Sequence, residues 1–345
     1  MNKQIIWINS ARAICIISVF LIHCSSYYGF GLGIISDVVH PFYVNAFFFI
    51  SGYLFFRKQM SESIIRKSFI DYLFTDGKQM FYNILFRIVI PTVVFSLIEF
   101  FPSHILKGEG WDCGTFLYKT LGGGTYWFTA ALAIAELTIA LFLLLRVKSF
   151  WFYFGLCCGI FAIGQFLVCE NFCIIERYPS FPWQYKQGLL AILFVGFGGV
   201  YCMLEDRICK YLNKIFFLCL LFLYVTCIVF LPKSFHVLIS ILDVNTAGIV
   251  LSLMSIVVLV EFCKHLPSFR FLDYIGQNTI GFYFMSGALP IILSMFVHKF
   301  IHGNNVWGCM IVFVSSMFIA CIAVMIMNHW LPWMFDLRML RSKRK

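Results

Sequence analysis

The chain of 345 residues is 61% hydrophobic and 12% charged, and its mean hydropathy is +0.89. Soluble domains are about 45–50% apolar and about 25% charged, so this composition excludes a soluble enzyme, a disordered chain and a nucleic-acid-binding protein. A net charge of +10 is also typical of proteins that bind nucleic acid, but the placement of the basic residues along the chain, described below, indicates a membrane surface instead.

Ten apolar segments follow one another along the chain, each close to the length that crosses a bilayer as a helix. Backbone groups in lipid must form their hydrogen bonds internally, so each segment is expected to be helical. We therefore predict an all-α, polytopic transmembrane helix bundle of about ten spans. The segments are Trp7–Tyr28, Val38–Phe56, Phe81–Phe101, Tyr126–Leu145, Phe150–Cys169, Gly188–Met203, Ile215–Leu231, Ala247–Cys263, Leu272–Phe296 and Val306–Asn328.

The distribution of Lys and Arg predicts the orientation of these spans, because cytoplasmic loops are enriched in both residues. With both termini in the cytoplasm, 18 of the 26 basic residues lie on the inner side and 6 on the outer side. Arg12 and Arg87 are left inside spans. Nine or eleven spans would break the alternation of loop charges.

Two connecting segments have distinctive compositions. Residues 57–80 mix charges with apolar residues, which predicts a short amphipathic helix on the inner membrane surface. Residues 102–125 form the longest outer loop and end in three glycines, which predicts a flexible approach to the fourth span. No internal repeat is found, and residues 1–345 are expected to form a single membrane domain. The apolar residues within the inner segment are Ile64, Ile65, Ile70 and Leu73.

The fourteen cysteines lie mostly inside the apolar segments and are interpreted as small core residues. The sequence contains no Cys-x-x-Cys pair, so neither a zinc site nor a redox pair is predicted and no bound metal is expected. Cys113 and Cys173 fall in outer loops, which leaves a disulfide between them open.

Arg12 and His23 lie within the first span, where ionisable groups are costly and therefore mark functional candidates. They are 11 residues apart, close to three helical turns, so they share one face and are separated by about 16 Å along the axis. The orientation puts Arg12 towards the cytoplasm and His23 beyond the midplane. Arg12 could instead snorkel to the inner headgroups, and His23 could simply bond to a neighbouring helix, but the shared face favours a joint function.

The chemistry of this pair suggests group transfer. A guanidinium near the cytoplasmic side can hold phosphate. Imidazole titrates near neutrality, so it can act as a general base or as a transient acyl carrier for an acceptor hydroxyl. Phosphate binding at one end and proton transfer at the other is the layout expected for acyl transfer from a coenzyme A thioester.

Three polar residues in the second, third and fourth spans are further candidates. Ser51 precedes Gly52, and this small pair also permits close helix packing. Arg87 lies within two turns of the inner end of the third span, where it could bind a cofactor phosphate or snorkel. Glu136 lies near mid-depth in the fourth span and could pair with Arg87 or another cation, or bond to a neighbour as a neutral acid.

Polar and aromatic residues also mark the start of two spans. Tyr126 and Trp127 open the fourth span, and Glu99 lies near the outer end of the third. Asn278 belongs to a polar cluster at the inner end of the ninth span, where such residues also favour the start of a helix.

Four stretches of the sequence, taken in order, resemble one family. Arg12 and His23 look like the Arg-x10-His signature of the acyltransferase family 3 integral membrane proteins. The second span, from Phe47 to Leu54, reads FFFISGYL, which is similar to the second helix of that family. The segments beginning at Tyr126 and Tyr274 resemble its WF-x-x-x-L and YIGxNSxxxY motifs. The resemblance covers nearly the whole chain.

This resemblance implies roles for individual residues. His23 would be the catalytic histidine and Arg12 its signature partner. Arg87 matches the second Arg of a frequent Arg-x-x-Arg pair, whose first position is Ile84 here. Ser286 stands where a further histidine often follows the last motif. The chain ends about fifteen residues after the tenth span, so it resembles members without an extracytoplasmic esterase-like domain.

The family transfers acyl groups, usually acetyl, to hydroxyls of sugars and glycans at the bacterial envelope. The resemblance therefore implies an O-acyltransferase of the bacterial cytoplasmic membrane that moves an acyl group from acetyl-CoA or another acyl-CoA to an envelope glycan or lipid-linked saccharide. No tightly bound cofactor and no nucleic-acid partner are expected. The acceptor, the acyl group and the oligomeric state are left open. Arg12 and Arg87 are the candidate CoA-binding residues, and the candidate substrate-binding residues are Ser51, Tyr126, Trp127, Glu136 and Asn278.

Two alternative interpretations remain. A transporter or flippase of lipid-linked sugars would also need about ten helices and buried polar groups, although the sequence shows neither an inverted repeat nor paired broken helices. A family member without catalysis would explain the departures at Ile84 and Ser286.

Overall fold

The structure is a computed structural model that describes residues 6–59, 68–107, 112–147, 149–211, 214–231, 237–301, 303 and 305–336. In that part of the chain every regular element is a helix, and Leu238 and Asp243 form an isolated antiparallel bridge. The helices are α1 (Ile6–Tyr28), α2 (Ile34–Val39), α3 (Asn45–Gln59), α4 (residues 69–107), α5 (Cys113–Thr120), α6 (Trp127–Leu143), α7 (Phe150–Cys169), α8 (Tyr185–Tyr211), α9 (Lys214–Phe230), α10 (Thr246–His265), α11 (Arg270–Gln277), α12 (Thr279–Met285), α13 (Ala288–Val297) and α14 (Val306–Trp330).

Six of these helices are long and apolar enough to cross a membrane, namely α1, α4, α7, α8, α10 and α14. The pair α12 and α13 makes a seventh if the two count as one span bent by 44°. Two shorter apolar helices, α6 and α9, overlap further predicted segments and have 17 residues each. Helix α3, with 15 residues, overlaps the second predicted segment. The prediction of an all-α membrane protein is therefore confirmed.

The second predicted segment starts later than the sequence suggested. The expected helix from Val38 to Phe56 is interrupted, since α2 ends at Val39 and α3 begins at Asn45. Pro41 lies in the turn between them and has no amide hydrogen to continue a helical ladder. The side chain of Asn45 donates a 3.0 Å hydrogen bond back to the Pro41 carbonyl, which holds the turn closed.

The third predicted segment is longer than expected. Helix α4 starts at Phe69 rather than at Phe81, and it contains two π-helical stretches, Leu73–Gly77 and Leu85–Val89. Ile70 and Leu73, predicted to belong to a separate surface helix in residues 57–80, are part of α4. Ile64 and Ile65 lie outside the described residues. The predicted segment started at Phe81 because charged residues precede it and interrupt the apolar pattern. Charged residues do not end a helical backbone, so the helix itself starts earlier.

The predicted outer loop at 102–125 is also partly helical. Helix α4 continues through Pro102 to Lys107, and α5 follows. Asp112 caps α5 by accepting a 2.9 Å hydrogen bond from the Thr115 amide. Hydrogen bonds from the Thr115 hydroxyl and amide, together with the nearby Arg177 guanidinium, hold the pKa of the Asp112 carboxyl below its ordinary value.

The contacts of the chain cluster in two compact units. Unit 1 comprises the described residues within Met1–Phe47, Cys209–Val237 and Val244–Leu331. Unit 2 comprises those within Phe48–Ile208, Leu238–Asp243 and Pro332–Lys345. The single-domain organisation expected from the sequence stays a prediction.

The core of unit 1 forms where α1 packs against α11, α12 and α14. The close approach of α1 to α11 depends on Gly276, because a Cβ at this position would overlap the carbonyl oxygen of Asn9. Gly308 of α14 has the same role beside the Tyr28 hydroxyl. The buried residues of this core are Ala13, Ile16, Val19, Phe20, Ile275, Phe282, Met317, Ala320 and Val324.

The core of unit 2 depends on small residues between α3 and α8. A Cβ on Gly52 would overlap the carbonyl oxygen of Val195, and a Cβ on Gly198 would overlap that of Phe49. Glycines allow two helix backbones to approach this closely, as is common between membrane helices. The close packing predicted at Ser51 and Gly52 is therefore confirmed.

Candidate active site

His23 lies in the last third of α1 in unit 1, where its ring is half-buried. Its Nδ1 atom is 2.7 Å from the carbonyl oxygen of Ser286. The ring of Tyr27, one helical turn further on, lies 5.8 Å from the imidazole at a tilt of 56°. His23 is thus held from one side by a residue far along the chain.

The Ser286 carbonyl is available because the helix is broken at this point. Helix α12 ends at Met285 and α13 starts at Ala288, so Ser286 and Gly287 form a turn between them. Ser286 is 1% exposed, and its hydroxyl donates a 2.8 Å hydrogen bond to the Tyr283 carbonyl. The side chain therefore closes the end of α12 while the main-chain carbonyl faces His23.

This contact determines the tautomer of His23. A carbonyl oxygen can only accept a hydrogen bond, so Nδ1 must carry the proton. In the neutral ring Nε2 then has a free lone pair and can accept a proton or attack a carbonyl carbon. The arrangement matches the general pattern in which a second group orients a catalytic histidine.

Arg12 lies on the same helix, three turns before His23, and is half-buried. Its neighbour Asn9 donates a 3.4 Å hydrogen bond to the carboxylate of Asp273 in α11. The first turns of α1 are therefore fixed against α11 by this bond and by the packing at Gly276. Arg12 and His23 are expected to project along one stripe of α1 at two depths.

Asn278 is used to stabilise the junction between α11 and α12. Its side-chain amide donates a 2.8 Å hydrogen bond to the Tyr274 carbonyl and accepts a 2.7 Å bond from the Asn328 side chain of α14. Both ends of the amide thus bond within unit 1. This arrangement gives Asn278 a structural role, and its predicted part in substrate binding stays a prediction.

The other five predicted site residues lie in unit 2. The Ser51 hydroxyl donates a short hydrogen bond to the carboxylate of Glu136, which joins α3 to α6. The sequence left open whether Glu136 pairs with a cation such as Arg87 or bonds to a neighbouring side chain, and the Ser51 contact is of the second kind. Arg87 instead lies beside Asp336, with 4.0 Å between its Nε atom and a carboxylate oxygen.

Arg87 is largely exposed, since 62% of its side chain is accessible. It lies in the second π-helical stretch of α4, and Asp336 follows a 3₁₀ turn at Pro332–Met334. Ile84, one turn before Arg87, is buried. An exposed ion pair of this kind contributes little to stability, and the predicted part of Arg87 in binding a cofactor phosphate stays a prediction.

Tyr126 and Trp127 lie where α6 begins. Tyr126 is buried and donates a short hydrogen bond to the carboxylate of Glu99 in α4. Trp127 is half-buried and packs edge-on against the ring of Phe128. Tyr126 and Glu99 thus connect α4 with the start of α6, a pairing that sequence spacing did not indicate.

A polar chain that the sequence interpretation missed runs between α3 and α8. Arg57 donates a 2.7 Å hydrogen bond to the Tyr53 hydroxyl, which in turn donates a 2.6 Å bond to the carboxylate of Glu205. The Tyr53 side chain is fully buried. The sequence gives only a weak signal for these contacts, because Glu205 lies beyond the apolar part of its helix and forms no motif with Tyr53.

In the part of the chain that the structure describes, the cysteines and the metal-binding residue types form no further functional centre. Cys113 and Cys173 are both free thiols, so they form no disulfide with each other. Within the described ranges, no group of three or more His, Cys, Asp or Glu side chains could hold a metal ion.

Comparison with known proteins identifies the family. The model of acyltransferase family 3, described as an acyltransferase domain, matches residues 5–326. No curated protein and no solved structure matches the chain at a significant level. Because the family match extends over nearly the whole chain and includes Arg12 and His23, the protein belongs to acyltransferase family 3 and is a membrane acyltransferase.

Proposed function

We propose that this protein is an O-acyltransferase that moves an acetyl or other acyl group from acyl-CoA to a sugar hydroxyl. The acceptor would be an envelope glycan or a lipid-linked saccharide at the outer side of the bacterial cytoplasmic membrane. Family membership supports acyl transfer in general. The finer assignment is based on the chemistry that Arg12 and His23 can perform.

The observation that carries the proposal is the 2.7 Å contact between His23 Nδ1 and the Ser286 carbonyl. It leaves Nε2 as the reactive nitrogen of the ring. In the direct route, Nε2 removes the proton of the acceptor hydroxyl while the oxygen attacks the thioester carbonyl carbon. The carbon–sulfur bond then breaks, and the proton passes from the imidazolium to the CoA thiolate.

A covalent route uses the same nitrogen. Nε2 would first attack the thioester carbonyl carbon and break the carbon–sulfur bond, giving an acyl-imidazolium that keeps Nδ1–H and a CoA thiolate. The acceptor hydroxyl would then attack the acyl carbon, the bond to Nε2 would break to restore the neutral imidazole, and the hydroxyl proton would pass to the CoA thiolate. Both routes need the Nδ1–H orientation that the Ser286 carbonyl supports.

Two arginines are proposed to attract the phosphates of CoA. Arg12 is nearer the predicted cytoplasmic end of α1 than His23, so a CoA bound there would extend its thioester along α1. Arg87 is exposed beside Asp336. Guanidinium groups bind phosphate through paired hydrogen bonds. The side chains of both arginines are therefore chemically suited to bind the phosphates of CoA.

The membrane arrangement that suits this function has ten spans and both termini in the cytoplasm. Six helices meet the length and hydropathy criteria, and the bent pair and three shorter helices would supply the other four. The excess of basic residues in alternate loops supports the orientation.

The test is acyl transfer by the purified full-length protein in detergent. Radiolabelled acetyl-CoA is incubated with de-O-acetylated envelope glycan, and we expect the label to appear in the glycan as an alkali-labile ester. Release of CoA should depend on the acceptor. A transporter would produce neither ester nor free CoA, so the absence of both with folded protein would contradict the proposal.

A further inference from the structure

The segment between α7 and α8, residues 170–184, is here called the outer strap because it lies on the predicted outer side. It contacts α5 and Asp112, the residue that caps that helix. The Tyr178 ring stacks on Tyr118 with 4.3 Å between centroids and 13° between planes. The Tyr178 hydroxyl lies 3.1 Å from the Thr115 hydroxyl, and Arg177 forms a 2.9 Å ion pair with Asp112.

The end of the outer strap is attached to the triple glycine before α6. The Trp183 amide donates a 2.8 Å hydrogen bond to the Gly122 carbonyl. The Gln184 side chain donates a 3.3 Å bond to the Tyr118 hydroxyl. Trp183 and Gln184 both have positive φ angles, 54° and 52°, a conformation that non-glycine residues rarely adopt. These contacts hold the chain in one defined path into α8.

Lys186 follows directly in the first turn of α8, and only 3% of it is exposed. Within the described residues, the hydrogen-bond partner of its ammonium group is the Cys173 thiol, at 3.9 Å from Nζ. A thiol is a weak acceptor. Burial of an ammonium group is costly unless an anion or strong acceptors compensate for its lost hydration. The Lys186 ammonium therefore lacks the partner that its burial requires.

Gln187, the next residue, has a buried acceptor atom that lacks a hydrogen-bond donor among the described residues. It is 5% exposed, and its Oε1 atom has no hydrogen-bond partner in the described part of unit 2. An amide oxygen in this state requires a donor such as a hydroxyl. The half-buried indole of Trp183 lies one turn before these residues. Small-molecule sites commonly combine aromatic surface with a few polar groups that fix the orientation of the ligand.

We propose that Lys186 and Gln187 form a binding site for an anionic saccharide. A carboxylate or phosphate on the sugar would pair with the Lys186 ammonium, and a sugar hydroxyl would donate to Gln187 Oε1. Arg177 is not suited to this role, because Asp112 already pairs with it. The inference depends on the proposed function, and it narrows the acceptor to saccharides that carry a negative charge.

Binding is measured with the purified full chain in the absence of acyl-CoA. The probes are galacturonic acid tetramer for the carboxylate, phosphorylated maltotetraose for the phosphate and plain maltotetraose as the neutral reference. We expect at least one anionic probe to bind about tenfold or more tightly than maltotetraose. Lys186→Met should abolish that preference, and Lys186→Arg should keep most of it.

Lys299→Met is the matched control. It removes the same charge from an exposed lysine of unit 1 on the predicted outer side. Its affinities should equal those of the wild type. Gln187→Leu should weaken the binding of every saccharide that the wild type binds, because it removes the acceptor for a sugar hydroxyl.

Cys173 provides a second readout that needs no substitution. Its thiol is 3.9 Å from Lys186 Nζ, so a bound anionic saccharide should slow its reaction with a polar maleimide. The exposed thiol of Cys113 should react at an unchanged rate. Labelling of each residue is followed by peptide mass spectrometry. This measurement tests the site even if Lys186→Met does not fold.

Equal affinity of the wild type for all three probes, or no binding of any anionic probe, would overturn the proposal. An unchanged anionic preference in folded Lys186→Met would also overturn it. Because no acyl donor is present, these results are independent of catalysis. Loss of acyl transfer with intact anionic binding would count against the proposed function alone.

Discussion

Among single residues, His23 and Ser286 best illustrate what a sequence can and cannot predict. His23 is an ionisable residue in an apolar span and matches a family signature, so the sequence identified it. Its contact with the Ser286 carbonyl joins residues 263 positions apart. Residue type carries no information about a backbone carbonyl, which only the path of α12 and α13 brings to the imidazole. The Ser-Gly dipeptide was the available signal, because such pairs often interrupt helices.

Arg12 is the residue whose proposed role is easiest to separate from folding. Arg12→Ala should raise the KM for acyl-CoA by about tenfold or more, because a charge-assisted phosphate contact is worth roughly 1.5–3 kcal/mol. The value of kcat should change much less, and Arg12→Lys should recover part of the affinity. Initial rates over a range of acyl-CoA concentrations provide both constants.

Arg270→Ala is the control for Arg12→Ala. Arg270 is exposed at the start of α11, so its substitution removes an equal charge from the predicted inner side of unit 1. An equal rise in KM for both variants would indicate general electrostatic attraction rather than a phosphate site at Arg12.

At the scale of the helices, the sequence predicted well where each helix lies, but it predicted poorly where a helix is interrupted. Each of the ten apolar segments overlaps a helix, because long apolar stretches give a strong signal. The interruptions at Pro41 and at Ser286–Gly287 were missed, since a hydropathy window averages over single residues. The three glycines at 122–124 were predicted to be flexible. The structure instead packs them tightly, and a Cβ on Gly124 would lie 2.6 Å from the Tyr118 ring.

The contact between α3 and α8 should be intolerant of larger residues. Gly52→Leu is expected to destabilise the protein by about 1–3 kcal/mol or more, since even a Cβ would overlap the Val195 carbonyl oxygen. Thermal unfolding of the purified protein, followed by thiol exposure, measures the effect. Gly155→Leu in α7 is the matched control, because the space around Gly155 is open. Equal melting temperatures for the two variants would contradict the proposed packing.

For the whole molecule, composition and the lengths of the apolar segments were sufficient to predict an all-α membrane protein, and motif order was sufficient to predict the family. Six helices satisfy the criteria for a span, and the full set of ten stays a prediction together with the cytoplasmic termini. The division into two compact units had no sequence signal. Contacts between distant segments define it, and no linker or change in composition separates the two units along the chain.

The central claim is that His23 Nε2 performs the proton transfer or acyl transfer. The most direct measurement is single-turnover acyl transfer from acetyl-CoA by His23→Gln, with acyl-CoA affinity determined on the same sample to confirm folding. His329→Gln is the control, since His329 is an exposed histidine at the end of α14. Loss of a general base typically slows a reaction by about 10²–10⁴-fold. We predict a decrease of this size for His23→Gln and none for His329→Gln, whereas a His23→Gln rate within about threefold of the wild type would contradict the account.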